Sequence, residues 1–525
     1  MSDDQNSPDK QPSKKDSDNI QVSKIGDRSN VAAGRGAKAI QNIFVINGNV
    51  QWIPVSGVLL VTVGFLTFLL WSLRPVKQKE MTKLFNVAVA EFLVVDENGK
   101  PYRSKDGLEL ASTLKDQLEN NFNELGIETI VTWELWGPDN TGSIKGATPE
   151  EREANAKAKA KEINAHIIIY GVLTFNGESS RFTPEFYVNH AAFEDANELT
   201  GSHELGRPLL IALPLASQIQ TVENPALAGR ANALSLITLG LAYYSVDNFN
   251  DAIEQFSQAE QDNRWLDRAG KEIVYLLLGN AYSRMIAQDK LKQDLLDRGL
   301  LELQLDEDPN DIQLAVENDI QLATANYEKA IAINMNYGRA YIGLAGTKLA
   351  QAGNTPEGME KLQETEALLD KALALENQPE TANIIPKAHY YRGQVAFLKA
   401  LYTDEPDSWI ETANQEYLFV LQDYEQGDDS LRDFASRSYA RLGVIASLRE
   451  NPDQAVEYIQ KALPIASPFL RGEFYELLGQ VYCDAGQQDN AVSAYESAIQ
   501  VAESNSDGNA VKKYEDGLNT LKCGS

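Results

Sequence analysis

The chain has 525 residues, 43% of them hydrophobic, enough for two or three folded units with a sizeable core. Its formal net charge is −29. The stretch before residue 53 holds 7 of the 47 basic and 6 of the 76 acidic side chains, so the acidity belongs to the rest, 40 against 70. Such a surface repels phosphate backbones and excludes a nucleic-acid binder. Cys483 and Cys523 alone suggest no disulfide framework and leave the compartment open, and the four scattered histidines give no zinc site.

Residues 1 to about 25 are rich in Asp, Lys, Ser, Gln and Pro, a composition that cannot bury enough apolar surface to offset ordering. They read as a disordered tail. From Gly26 the chain turns to Gly, Ala, Asn and β-branched residues, and Asn47-Gly48 carries the signal of a type I′ turn. A hairpin, a self-associating strand and a flexible spacer all fit.

Ile53 to Leu73 is a run of 21 residues without a charge, with Trp52 and Trp71 near its ends. As a helix it spans about 30 Å, the thickness of the hydrocarbon layer, and tryptophans suit the interfacial belts. The sequence therefore predicts a single-pass membrane anchor. Arg74, Lys77, Lys79 and Lys83 follow directly, while the 14 residues before Ile53 carry no charge. The positive-inside rule places the C-terminal region in the cytoplasm; the basic residues of the tail favour a periplasmic or extracellular alternative.

Between the span and the C-terminal half, strand and helix signals alternate. Phe85 to Phe92 reads as a buried strand, and Asp106 to Leu125 as an amphipathic helix with Leu108, Ala111, Leu114, Leu118 and Phe122 on one face. Ile127 to Trp133 is a second strand, and Thr148-Pro149-Glu150-Glu151 opens a second helix that runs to Asn164. His166 to Leu173 and Glu185 to Asn189 complete the set. This order implies a small α/β domain over residues 84–215 with a parallel sheet and right-handed crossovers. Glu91 reads as a solvated strand-edge residue, and His166 and Tyr170 as sheet-face packing. The order of Val87 to Phe92, a helix, then Ala165 to Gly171 resembles the amino-terminal domain of TolB-like periplasmic proteins and CsgG-like domains. That resemblance implies a role in envelope assembly.

From Ala226 onward one template repeats. Leu236, Leu239, Gly240, Tyr243, Ala252, Phe256 and Ala259 recur as Gly479, Tyr482, Ala491, Tyr495 and Ala498 at the same offsets from the glycine. A third copy reads Tyr439, Leu442, Gly443, Ala455 and Ala462, and a fourth reads His389, Gly393, Ala413 and Tyr417. A fifth is split: Tyr275, Leu278, Gly279 and Tyr282 on one helix, Ala323, Tyr327 and Ala330 on its mate, with an acidic insertion from Gln288 to Asp319 that could modulate access. A degenerate unit has Tyr341 and Leu344 facing Leu369 and Ala372. Small residues sit where two antiparallel helices cross closely and large ones fill the groove beside them. The set resembles the tetratricopeptide repeat family, which implies an all-α superhelix of about six helix pairs whose concave face binds a protein or peptide. Val511 to Leu521 reads as its capping helix.

Signatures of catalysis are missing. Gly34-Arg35-Gly36-Ala37-Lys38 lacks the spacing of a phosphate loop, and the chain has no dinucleotide turn, nucleophile elbow or zinc-protease motif. The sequence thus points to no enzyme, cofactor or metal, and to a membrane-anchored scaffold for protein partners. Two alternatives stay open, a regulator whose α/β module binds a small ligand and an enzyme with an unrecognised site. Candidate groove residues, beside the packing positions of the first helix of each pair, are Asn232, Asn280, Arg284, Arg339, Arg392, Arg437 and Arg441. Arg and Asn there would hydrogen-bond a peptide backbone or carboxylate.

Overall fold

The computed structural model describes residues 80–523, except 103, 125–130, 176–178, 191–192, 194–195, 213–224, 266–267, 298–308, 353–354, 377–383 and 506. The chain divides into Met1–Lys77 and Gln78–Ser525, and the description concerns the second part. The tail, the Asn47-Gly48 turn and the apolar run 53–73 lie outside the described residues. Among the described residues no helix is long and apolar enough to cross a membrane. The expectation of a single-pass membrane protein is corrected accordingly, and the orientation argued from its flanking charges falls with it.

The first module is a mixed sheet flanked by helices. Its strands are β1 (Phe85–Val89), β2 (Leu93–Asp96), β3 (Trp133–Trp136), β4 (Ile167–Phe175), β5 (Ser179–Val188), β6 (Gly201–Glu204) and β7 (Leu209–Ala212). The order is β3-β1-β4-β5-β6, with β2 beside the later part of β4 and β7 beside the early part of β5. β1 runs parallel to β3 and β4, and β2 parallel to β4, but β4–β5, β5–β6 and β5–β7 are antiparallel. The sheet is therefore half parallel, not wholly parallel as the strand-helix order predicts. The reason is length. β5 begins at Ser179, directly after the end of β4 at Phe175, and a parallel return needs a crossover of a dozen or more residues.

Helix α1 (Asp106–Glu124) covers one sheet face with Leu110, Ala111, Leu114, Leu118 and Phe122, while Leu108 is only partly covered. Helix α2 (Pro149–Ile163) covers the other face through Ala156, Ala160 and Ile163, packed on Ala88, Ile168 and Tyr170. Its start is set as the sequence suggests: Thr148 Oγ1 accepts from Glu151 N and Glu151 Oε2 accepts from Ala147 N. Asn164, in the left-handed region at φ 56°, ends it. Tyr170 is buried with its hydroxyl 2.6 Å from Ser202 Oγ, and His166 Nδ1 accepts from Asn86 N, so both serve packing.

Among the described residues six helix pairs and a last helix follow: α3 (Pro225–Tyr244) and α4 (Phe249–Gln261), α5 (Glu272–Asp297) and α6 (Pro309–Ile333), α7 (Gly338–Leu349) and α8 (Pro356–Leu373), α9 (Ile385–Tyr402) and α10 (Pro406–Glu425), α11 (Arg432–Leu448) and α12 (Pro452–Ala462), α13 (Pro468–Asp484) and α14 (Gln488–Ser504), and α15 (Gly508–Thr520). The small-to-large packing of the template is visible atom by atom. A Cβ on Gly240 would lie 2.3 Å from the Phe256 ring, and one on Gly479 2.7 Å from Tyr495. Gly279 and Gly343 both close on the Tyr327 ring, so the split repeat and the degenerate one share a single knob. The flanks of the acidic insertion are helical: α5 runs on to Asp297 and α6 begins at Pro309.

One hydrophobic core runs from the sheet face through α1 into the first repeats, joining Phe92, Leu110, Leu114 and Phe182 to Leu227, Leu234 and Tyr244. Each such fully buried large side chain contributes about 1.5–3 kcal/mol, so the module and the first pairs hold together as one body. At the far end α15 buries only Tyr514. A disulfide between Cys483 and Cys523, with Cα atoms 4.5 Å apart, ties the chain after α15 back to α13. This corrects the sequence reading: two cysteines 40 residues apart meet because two successive antiparallel turns, α13 to α14 and α14 to α15, bring the chain back to the same end.

Candidate functional site

The first helices of successive pairs present their N-terminal ends to the sheet module. The contact centres on a 3-10 turn, Asn197–Leu199, and the start of β6. Arg339, in the first turn of α7, is 0% exposed. Its Nη1 donates to Thr200 O at 2.6 Å and Glu198 O at 3.3 Å, and its Nη2 donates to Ser202 O at 3.3 Å. Removing a guanidinium from water costs several kcal/mol, and these carbonyl acceptors offset it. Lys387, at the start of α9, is 4% exposed and forms an ion pair with Glu198, itself 5% exposed. Burial works against the Lys387 charge, yet Glu198 and the neighbouring Tyr391 outweigh it and its pKa lies above the usual lysine range.

His203 completes the contact. It is stacked on Phe186 at 5.0 Å, with Nε2 2.8 Å from Leu199 O and both ring nitrogens near Arg339 Nη1, at 2.9 and 3.4 Å. Complete burial, then the Arg339 charge, push its pKa well below the usual value, so the ring is neutral. A segment of the chain's own module thus lies against the N-terminal ends of α7 and α9, held by main-chain hydrogen bonds and one buried ion pair, as a bound peptide would be.

This arrangement redistributes the seven groove residues. Arg339 holds the chain's own backbone. Asn280 is buried and its Nδ2 donates to Leu276 O of its own helix. Asn232 Nδ2 donates to Asp262 Oδ2 at 2.8 Å, tying α3 to the end of α4. Arg284 lies over the Phe249 ring at 5.7 Å and 3.8 Å from Asp247. Arg392 reaches Glu416 at 3.3 Å and Asp370 at 3.8 Å, and Arg437 reaches Asp433 at 2.8 Å. Of the seven, Arg441 alone lines an open apolar depression, of about 540 Å³, with Leu349, Tyr391, Phe397, Leu398 and Leu401. Sequence reasoning missed Lys387 and Glu198. Lys387 sits two residues before the template position His389, a signal that was available; nothing near Glu198 marks it.

A tetratricopeptide repeat family model matches residues 436–467 and 472–505, which cover α11 to α14. The chain carries tetratricopeptide repeats. Such repeats generally mediate protein–protein interactions. No curated protein matches the chain. Among solved structures, PilW, described as a widely conserved type IV pilus biogenesis factor, is similar over 54% of this chain and 97% of its own, with 13% identity and a TM-score of 0.35. A thermophilic tetratricopeptide protein from Thermus thermophilus is similar over 55% and 99%, with 16% identity and a TM-score of 0.25. The TPR2AB domain of yeast Sti1, solved with pHSP90, is similar over 55% and 97%, with 13% identity and a TM-score of 0.20. None of these matches is to a TolB or CsgG domain.

Proposed function

We propose that this chain is a protein-interaction scaffold whose tetratricopeptide solenoid takes a segment of a partner protein on the open part of its inner face. The observation that carries the reading is the depression between α7, α9 and α11. Leu401 is 54% exposed there, beside the partly covered Phe397 and Leu398 and next to Arg441. Apolar anchors beside one cation suit a partner segment with alternating apolar and acidic side chains. The solenoid is preformed, so little ordering entropy is lost on its side. The module covers the N-terminal ends of α7 and α9, which leaves the C-terminal halves of the same helices to the partner.

A photo-crosslinking amino acid at position 401 tests this, with a second at the exposed position Lys512 as the control. The expected result is a discrete crosslinked protein from position 401 that is absent from position 512 and from a Leu401→Asp, Arg441→Glu chain. Equal crosslinking from both positions would refute the reading.

A further inference from the structure

A second concavity opens between the module and the repeats, away from the apolar depression. It is a cleft of about 630 Å³ between the second half of α2 and the N-terminal ends of α11 and α13. That volume is within the range of small-molecule sites. Its charge is unlike the rest of the protein. In a chain of net charge −29, the cleft is lined by Lys157, Lys161, Arg432 and Arg471 against a single carboxylate, Asp433, which is engaged by Arg437 at 2.8 Å. Among the described residues none of the four cations makes an ion pair.

Three further features shape the site. Arg471 Nη2 donates to Ala466 O at 3.1 Å, which fixes the guanidinium at the mouth of α13, while its buried Nε has no hydrogen-bond partner. The positive end of the α13 dipole, capped by Ser467, faces the same space. On the opposite wall Asn197 is 3% exposed, and its side-chain Oδ1 is buried without a partner.

We infer that this cleft binds a phosphorylated small molecule, with its phosphate groups at Lys157, Lys161, Arg432 and Arg471. The ligand would bridge the module and the last two first-helices of the solenoid, so its binding closes one against the other. The inference is independent of the partner-binding reading: the two sites share no residue, and either can fail alone.

Isothermal titration of the full chain at about 50 mM salt tests it with inorganic pyrophosphate, ADP, glucose 1-phosphate and adenosine as probes. The expected result is a dissociation constant of about 100 μM or tighter for at least one phosphorylated probe, and none for adenosine. Lys157→Glu with Lys161→Glu, both at exposed positions of α2, should weaken it at least tenfold without changing the circular dichroism. Lys512→Glu, remote from the cleft, should leave it unchanged. Three results would sink the inference: no binding of any phosphorylated probe, binding indifferent to the α2 charge reversal, or binding weakened equally by Lys512→Glu.

Discussion

Two stretches of one inner face put their cations to different uses. At the start of α7 and α9, Arg339 and Lys387 are buried against the chain's own residues 198–203; further along, Arg441 borders an apolar depression that the module leaves uncovered. Sequence spacing treats these arginines alike, because both sit beside the packing positions of a first helix. Burial separates them. A groove residue of a repeat protein can therefore serve as an internal fastening, and a cation on the inner face is not evidence of an external ligand until the neighbouring chain has been placed.

The contrast can be broken most forcefully at Glu198. Glu198→Ala leaves Lys387 buried and unpaired, and a loss of about 3–5 kcal/mol is expected. Urea denaturation should show it, and hydrogen exchange should rise in both β6 and the first turn of α9. Unchanged exchange on either side would mean that the fastening is not where the geometry puts it.

A carboxylate buried without a cation makes the opposite case. Asp319 in α6 is 4% exposed, with Oδ2 unpartnered, and burial, then the charge of Asp289, raise its pKa to about 6. The folded state then holds a proton that the unfolded chain, with a pKa near 3.9, releases. Stability from this group is full below about pH 4 and is lost as the pH rises toward 6. Asp319→Asn should stabilise the chain by about 1–2 kcal/mol at pH 7 and have no effect at pH 4, as measured by paired denaturation curves.

His203 sharpens the comparison from the acid side. Its pKa is depressed by burial and Arg339, so its contribution is present above the unfolded value near 6.5 and is lost as the pH falls. Stability should drop below that point by at most about 1.4 kcal/mol per pH unit, and His203→Gln should remove that slope. The facing groups are Arg339 on α7 and the Phe186 ring on β5. The smallest effect is expected in the open half: Leu401→Asp should shift stability by less than about 0.5 kcal/mol, because its side chain supports nothing in the free protein.

The repeats were legible because their constraint is local and steric. Gly240 and Phe256, or Gly479 and Tyr495, recur at one spacing since a Cβ would strike the ring. The split repeat was legible for the same reason, although the insertion proved to extend two helices. The parallel half of the sheet followed from strand-helix order, whereas the antiparallel half depends on the early start of β5, and Ser179 to Pro184 carries no strong strand signal. Long-range meetings left no trace in the pattern. Arg339 and Thr200 are 139 residues apart, and Cys483 and Cys523, 40 residues apart, are joined across α14 and α15.

That last crosslink alters how the molecule comes apart under load. A solenoid pulled from its C-terminal end unzips pair by pair, since each repeat touches only its neighbours. Here a force applied beyond Cys523 bypasses α14 and α15 and falls directly on Cys483 in α13, so a pull on that end meets the last pair before the last helix. Thiol reduction returns α15, whose one fully buried side chain is Tyr514, to being the first piece to peel away.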